Sequence, residues 1–215
     1  MTKLYLDILD EPRKNVFEAL QKLPKSLPLG GGTGLALQLG HRFSYDFDLF
    51  STEPITRNWY RKLTEIFGYQ PVKRTDSTDQ LTVELKHGIQ ITILYYWYKP
   101  LYPLVSTSSL SLFDMRDIAT DKAYTLGRRN VWRDYVDFYF LLQQPNMNLL
   151  TIIEDAQKRF GNEFSPKLFL EQLAYTNDIV DTAITFVTET HSKEKVTGFL
   201  QKEVRETAQK LISTT

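Results

Sequence analysis

The sequence of 215 residues contains no cysteine. Disulfide bonds and thiolate metal centres are therefore excluded, and the composition suits a reducing compartment. No segment approaches the roughly 18 consecutive apolar residues that a membrane-spanning helix needs. The N-terminal segment also lacks the uninterrupted apolar core of a signal peptide. We therefore expect a cytoplasmic protein that does not cross a membrane.

The chain also lacks net charge, because 26 Lys and Arg residues balance 26 Asp and Glu residues. Broad, non-specific binding of nucleic acid requires a basic surface, so the composition argues against that class of protein. The composition does not exclude a local basic patch. The apolar fraction of 42% is enough for a core, and the length suits one large domain or slightly more.

Glycine is concentrated in one turn, Gly30 to Thr33, which follows a short apolar segment. Residues 35–39 are small and apolar and predict a short helix that ends at Gly40. Glycines allow a backbone turn to approach a phosphate closely, and the N–H groups at a helix start favour an anion. The turn is therefore a predicted binding site for a triphosphate.

The next segment alternates apolar and polar residues from Phe43 to Leu49, which predicts a strand with Asp46 and Asp48 on one face. Two carboxylates side by side repel each other unless a cation lies between them. Mg²⁺ or Mn²⁺ accepts such oxygen ligands and keeps positions open for substrate phosphates. Together the turn and the acid pair predict metal-dependent phosphoryl or nucleotidyl transfer. The alternative is an ordinary turn and a surface acid pair.

The GGT turn at 31–33 and the segment HRFSYDFDLF at 41–50, which has the pattern His-Arg-x-Ser-x-Asp-x-Asp-x-Phe, resemble the nucleotidyltransferase superfamily with the DNA polymerase β-type fold. More closely, they resemble the AbiEii/AbiGii toxin family of abortive-infection systems. The resemblance implies an α+β fold, with a polymerase β-like core (a small mixed sheet with flanking helices) and a helical C-terminal region. It also implies an NTP substrate, an RNA acceptor such as tRNA, and a cognate antitoxin. The residues implied to bind substrate are Gly31, Gly32, Thr33, Arg42, Ser44 and Arg129.

Two domains are predicted, a nucleotidyltransferase core at 1–110 and a helical region at 111–215. The second begins where Ser111 and Asp114 have the spacing of a capping box. From Pro145 onward the pattern is helical throughout.

Residues 81–85 and 89–93 alternate in polarity around a His-Gly turn and predict a β-hairpin. Polymerase β-type folds usually carry a third carboxylate on a strand after the acid pair, which makes Glu84 a candidate. The alternative for Glu84 is a solvent-facing strand residue. The aromatic run at 95–98 is interpreted as core packing, with stacking of a base as the alternative.

Lys122 lies on the apolar face of its predicted helix. A buried ammonium requires an anionic partner, either a carboxylate of Asp134 or Asp137 or a nucleotide phosphate. The pattern Lys-Ala-x-x-Leu-x-x-Arg, from Lys122 to Arg129, resembles the lysine helix of the toxin family and favours the phosphate.

The following helix resembles the Arg-Asp-x-x-Asp-Leu-x-x-Leu motif of that family, with Phe138 where leucine is usual. By this resemblance Asp134 is a catalytic carboxylate. For Asp137 we favour an ion pair that tethers the helix, with Arg133 four residues away as a candidate partner. The predicted catalytic residues are Asp46, Asp48, Lys122 and Asp134, with the metal on Asp46 and Asp48.

Two other functions stay open. One is a small-molecule nucleotidyltransferase of the antibiotic-modifying kind, although the local cluster of Arg128, Arg129 and Arg133 favours RNA. The other is a catalytically silent binding protein of the same fold. The presence of Asp46, Asp48 and Lys122 argues against a silent protein.

Overall fold

The computed structural model describes residues 3–126, 128–180 and 182–213. The described residues form two compact units, one that ends at Asp114 and one that begins at Met115. Within these ranges, no helix is long and apolar enough to span a bilayer.

The first unit contains a four-stranded mixed sheet. Its strands are β1 (Phe47–Ser51), β2 (Val72–Asp76), β3 (Gln80–Glu84) and β4 (Gln90–Tyr95). They follow the order β1–β4–β3–β2, with β1 parallel to β4 and the other neighbours antiparallel. Three helices accompany the sheet, α1 (Glu11–Ala19), α2 (Gly31–Leu39) and α3 (Arg57–Phe67).

One face of the sheet is the core of this unit. Phe47 and Leu49 of β1 are buried there with alternate residues of β3 and β4, and Phe17 of α1, Leu37 of α2 and Leu63 of α3 join the same cluster. The opposite face is more polar. The register aligns Asp48 with Thr92, and Thr92 with Thr82, so these three residues form one row across the polar face.

The predicted hairpin is confirmed as β3 and β4. Its turn contains two residues with positive φ, His87 at 62° and Gly88 at 68°. The sequence did not predict β2. All five of its residues are exposed at the edge of the sheet, so the strand has no alternating apolar pattern to reveal it.

The predicted bounds of the first strand are wrong, because β1 begins at Phe47 rather than Phe43. The backbone before Phe47 bonds to side chains instead of a neighbouring strand. The Arg13 Nε donates to the carbonyl of Tyr45 at 2.9 Å, and the Thr33 hydroxyl donates to the carbonyl of Asp46. The predicted end of α2 at Gly40 is confirmed, with φ of 67° at that residue.

The second unit is helical. Its helices are α4 (Met115–Leu126), α5 (Trp132–Leu141), α6 (Leu149–Phe160), α7 (Pro166–Ala174) and α8 (Lys193–Ser213). Helix α4 packs against α5, α6 and α7, and α8 packs against α5, α6 and α7.

Two helical predictions are wrong. The helix expected from Ser111 begins at Met115, because the Ser111 carbonyl accepts the Leu29 N–H at 2.8 Å and Leu112 forms a bridge with Val105. Residues 175–180 and 182–192, which belong to the stretch predicted as helical, lie outside helices. There Val180 donates its N–H to the Asn130 carbonyl at 2.7 Å, so this backbone pairs with another segment instead.

Candidate functional site

The glycine turn is the N-terminal end of α2 rather than a separate loop, because the helix begins at Gly31. Gly30 precedes it and donates its N–H to the Asp48 carbonyl at 2.9 Å. The first N–H groups of a helix have no acceptor within the helix, and the helix dipole adds positive potential there. Residues 31–33 therefore present backbone donors at a position that suits an anion.

Gly31 brings this turn into contact with Asp48. Its φ is +58°, and a Cβ at this position would overlap Oδ2 of Asp48 and lie 3.2 Å from the Asp48 Cβ. Only glycine fits such a conformation with a carboxylate so close. The structure thus places an acidic side chain of β1 directly against the start of α2.

Gly32 similarly allows the close approach of a cationic side chain. A Cβ on Gly32 would lie 2.7 Å from Nη2 of Arg42, whose side chain is buried. Nη1 of Arg42 donates to the Phe43 carbonyl at 3.1 Å. The guanidinium is thereby held beside the first turn of α2.

Thr33 and Ser44 fix the two segments against each other. Their hydroxyl oxygens are 2.7 Å apart, and both residues are buried. Because the single proton of the Thr33 hydroxyl goes to the Asp46 carbonyl, Ser44 is the donor to Thr33. The substrate-binding residues predicted in the first unit therefore lie together around the start of α2.

The two aspartates differ in exposure. Asp48 is half-buried in β1, whereas Asp46 precedes the strand and is exposed. Among the residues described, no group of three or more His, Cys, Asp or Glu side chains is arranged to hold a metal ion. A donor set of two carboxylates suits Mg²⁺, which binds one or two carboxylates and completes its shell with water and substrate phosphate.

Glu84 lies on the polar face of the sheet but outside the row of Asp48. It is the last residue of β3 and pairs with Gln90, whereas Thr82 and Thr92 occupy the row, with hydroxyl oxygens 3.2 Å apart. The Glu84 carboxylate accepts from Nη2 of Arg74 at 2.9 Å. This ion pair is partly exposed, so it contributes little to stability.

In the second unit, Lys122 has the anionic partners that its burial requires. Its Nζ lies 2.8 Å from Oδ1 of Asp134 and 2.5 Å from Oδ2 of Asp137. The side chains are 6%, 4% and 0% exposed. Both carboxylates considered from the sequence therefore contact the ammonium.

Arg129 adds a second cation to this cluster. Its Nε donates to Oδ2 of Asp134 at 3.1 Å, although the Arg129 side chain is 58% exposed. Two carboxylates thus face two cations, and the formal charges of the four side chains cancel. The predicted pair between Arg133 and Asp137 is wrong, because Arg133 points to solvent while Asp137 is fully buried against Lys122.

Tyr135 follows Asp134 in α5 and is also buried. Burial raises the pKa of its hydroxyl to about 12, and the negative charges of Asp178 and Asp134 act in the same direction. The hydroxyl donates to the Gln172 carbonyl at 3.0 Å. This tyrosine is therefore neutral over the physiological pH range.

Phe50 ends the motif found in the sequence, but the sequence did not predict that its ring lies against the glycine turn. A Cβ on Gly30 would lie 2.6 Å from the Phe50 ring and 2.9 Å from the Phe113 ring. Phe50 follows Asp48 by two residues in β1, so both side chains share one face. The spacing of two residues between Asp48 and Phe50 was the signal in the sequence that could have placed the Phe50 ring on the face of Asp48.

A model of the AbiEii family, described as a nucleotidyl transferase toxin of type IV toxin–antitoxin systems, matches residues 16–210. The chain belongs to the AbiEii nucleotidyl transferase toxin family. It is accordingly a nucleotidyltransferase, and the family and enzyme class expected from the motifs are confirmed.

Two solved structures are similar to this chain. MenT4, a nucleotidyltransferase toxin of Mycobacterium tuberculosis, has a TM-score of 0.62 and 14% identity, covering 88% of this chain and 80% of that one. A Helicobacter pylori protein described as a nucleotidyltransferase has a TM-score of 0.56 and 16% identity, covering 96% and 99%. At these identities they establish the fold, and the predicted α+β core with a helical C-terminal region is confirmed.

A relative is also found by sequence. An uncharacterized protein of Aquifex aeolicus is 27% identical over 174 residues, which covers 77% of this chain and 84% of that protein.

Proposed function

We propose that this protein transfers a nucleoside monophosphate from an NTP to a hydroxyl of an RNA acceptor, with tRNA as the acceptor class. The reaction depends on Mg²⁺ or Mn²⁺. In the cell it acts in the cytoplasm as the toxin of an abortive-infection system and is held in check by a cognate antitoxin. The observation that carries the proposal is the contact of Gly31 with the Asp48 carboxylate at the start of α2.

That contact brings together the two groups that a nucleoside triphosphate requires. The N–H groups of residues 31–33 bind phosphate oxygens, with Arg42 beside them at Gly32. Asp46 and Asp48 hold the metal ion. A divalent ion held by these carboxylates would neutralise phosphate charge.

The transfer step follows from these positions. The acceptor oxygen attacks the α-phosphorus, a new P–O bond forms, and the bond from that phosphorus to the bridging oxygen breaks, so that pyrophosphate leaves. The proton of the acceptor hydroxyl passes to a carboxylate. Thr33 and Ser44 take no proton; their hydrogen bonds fix the segment before β1 against α2.

For the second unit we propose the roles that the family motif implies. Lys122 and Arg129 bind phosphate, and Asp134 is the base. Asp134 accepts hydrogen bonds from both cations, so binding of a phosphate by Lys122 and Arg129 would change the contacts of this carboxylate. Glu84 is the competing candidate, but its carboxylate is paired with Arg74.

RNA is favoured as the acceptor by a patch of exposed arginines. Arg128, Arg129 and Arg133 all reach solvent, and the Arg128 guanidinium lies over the Tyr124 ring at 4.3 Å. Arg128 and Arg133 supply local positive charge to a chain without net charge, while Arg129 is paired with Asp134. A small-molecule acceptor of the antibiotic kind would not need it.

Incubation of the purified protein with each α-labelled NTP, Mg²⁺ and total RNA tests the proposal. We expect one or more NTPs to label RNA, and Asp48→Asn to abolish the label. Asp79→Asn is the matched control, because Asp79 is an exposed aspartate in the turn between β2 and β3. Label on a small molecule instead would identify the second enzyme class. Absence of any transfer would favour the silent binding protein.

A further inference from the structure

We propose that an aromatic strip in the first unit stacks the unpaired bases at the 3′ end of the acceptor RNA. The strip consists of Phe50, Tyr96, Tyr98 and Trp97. This inference rests on the proposed function, because it assumes that the acceptor is RNA, and it names how the protein recognises that acceptor.

The strip is a continuous series of ring contacts. Ring centroids are 5.2 Å apart for Phe50 and Tyr96, 5.3 Å for Tyr96 and Tyr98, and 5.2 Å for Tyr98 and Trp97. The series begins at the phosphate-binding turn, since the Phe50 ring blocks the Cβ position of Gly30. Asp48 lies two residues before Phe50 on the same strand face. The strip therefore starts beside the proposed reaction site.

The strip ends at an exposed tryptophan. Trp97 is 58% exposed, and Tyr96 and Tyr98 are half-buried. The interpretation of this run as core is therefore wrong for Trp97. An indole that is more than half in solvent contributes little to a core, but it offers a large flat face to a ligand.

Stacking also provides affinity for RNA that does not depend on the net charge of the chain. The chain has no net positive charge, so phosphate contacts alone provide limited attraction for RNA. Stacking of bases on aromatic side chains does not depend on net charge and accepts any base. The exposed Lys99, which follows Tyr98, adds one cation for the backbone of the strand.

The extent of the strip favours the acceptor over the incoming nucleotide. An NTP has a single base, which is joined to its phosphates through one ribose and therefore cannot contact the whole series of rings. A single strand whose 3′ hydroxyl is at the reaction site carries further bases outward, and a series of rings that ends in an exposed indole suits those bases. The strip therefore matches an unpaired RNA end.

The test uses a 5′-labelled single-stranded oligoribonucleotide with a blocked 3′ end, so that binding is measured without transfer. Trp97→Leu removes the aromatic face and keeps apolar bulk, whereas Trp97→Tyr keeps an aromatic ring. Tyr175→Leu is the matched control, because Tyr175 is 49% exposed in the second unit. Affinities for the oligonucleotide are measured at low and high salt, and affinities for NTP–Mg²⁺ are measured in parallel.

We expect Trp97→Leu to weaken binding of the oligonucleotide roughly tenfold, by a similar factor at both salt concentrations. Trp97→Tyr should retain most of the affinity, and all variants should bind NTP–Mg²⁺ like the wild type. The proposal is overturned if Trp97→Leu binds the oligonucleotide as wild type does, if Tyr175→Leu loses as much affinity, if only NTP affinity falls, or if the wild type binds no oligonucleotide.

This failure differs from a failure of the proposed function. If the stacking proposal alone is wrong, wild-type protein still labels RNA and Asp48→Asn still does not. If the proposed function is wrong, no NTP labels RNA even with the wild type.

Discussion

The two units differ in the burial and pairing of their acidic side chains. In the first unit, the acids beside the start of α2 are exposed or half-buried, and the segment that carries them is held by hydrogen bonds from Arg13, Arg42 and Thr33 to backbone carbonyls. In the second unit, Lys122 is buried against Asp134 and Asp137. We propose that the acids of the first unit hold a cation. In the second unit, the charges of Lys122, Arg129, Asp134 and Asp137 already balance.

This difference predicts which substitutions affect stability and which affect activity. A buried charge that loses its partner destabilises the fold strongly, whereas an exposed charge contributes little to stability. Charge removal in the second unit should therefore lower the free energy of unfolding, in addition to any effect on transfer. Charge removal in the first should lower nucleotide transfer with little effect on stability.

Lys122→Met is expected to have the largest effect. It leaves the fully buried Asp137 carboxylate without its ammonium, which costs about 3–5 kcal/mol in the free energy of unfolding. Urea unfolding measures this loss, and Lys122→Met with Asp137→Leu should recover part of it because both charges are then removed.

NTP binding by the same variant decides the role of Lys122. We propose that it binds phosphate, so Lys122→Met should bind NTP–Mg²⁺ more weakly under conditions where it is folded. If it is less stable but binds NTP–Mg²⁺ as tightly as the wild type, Lys122 is only a structural residue.

Asp134→Asn and Glu84→Gln compare the two candidate bases. We expect Asp134→Asn to reduce turnover roughly hundredfold, the scale of a lost general base, with NTP affinity retained. Glu84→Gln should reduce it much less, because its side chain is paired with Arg74 on the sheet. Turnover at saturating NTP is the measurement. An inactive Glu84→Gln together with an active Asp134→Asn would assign the base to the sheet.

Thr33→Val tests whether the hydrogen bonds of Thr33 in the first unit contribute to both stability and transfer. The substitution keeps the shape of Thr33 and removes its buried hydrogen bond with Ser44 and its partly buried bond to the Asp46 carbonyl. We expect a loss of about 1–3 kcal/mol in stability, measured by urea unfolding, together with reduced transfer because the Asp46 segment is no longer fixed. Ser213→Ala, an exposed hydroxyl at the end of α8, is the control and should change neither quantity.

The smallest expected effect is on the free energy of unfolding at alkaline pH. The pKa of Tyr135 is raised to about 12 in the folded protein. As pH rises from about 10 towards 12, the unfolded chain releases this proton first, so the free energy of unfolding falls across that window. Urea unfolding of the wild type and Tyr135→Phe at several alkaline pH values measures the difference. Parallel curves for the two proteins would show that Tyr135 does not contribute.

The sequence predicted which residues of the first unit lie together around the start of α2, because its signals are local. The glycines and Asp48 act through backbone conformation and spacing, and both are visible in one short segment. The start of β1 was predicted wrongly because it depends on distant partners, Arg13 for Tyr45 and Thr33 for Asp46. Such contacts between separate segments leave no trace in local periodicity.

Similar reasons explain the second unit. Burial of Lys122 predicted that a carboxylate or a phosphate would lie beside it, and Asp134 and Asp137 occupy that position. Spacing alone suggested Arg133 as the partner of Asp137, but the rotation of α5 turns Arg133 to solvent. Which face of a helix is buried is decided by its neighbours, and the short polar start of α5 did not reveal it.

The most direct test of the central claim is the stabilisation of the protein by Mg²⁺ and a non-hydrolysable NTP analogue. Ligands that bind only the folded state raise the free energy of unfolding. We predict a clear rise for the wild type and none for Asp48→Asn, whose stability without ligand should equal or slightly exceed that of the wild type. An equal rise in both proteins would contradict the assignment of Asp48 as a metal ligand beside the glycine turn.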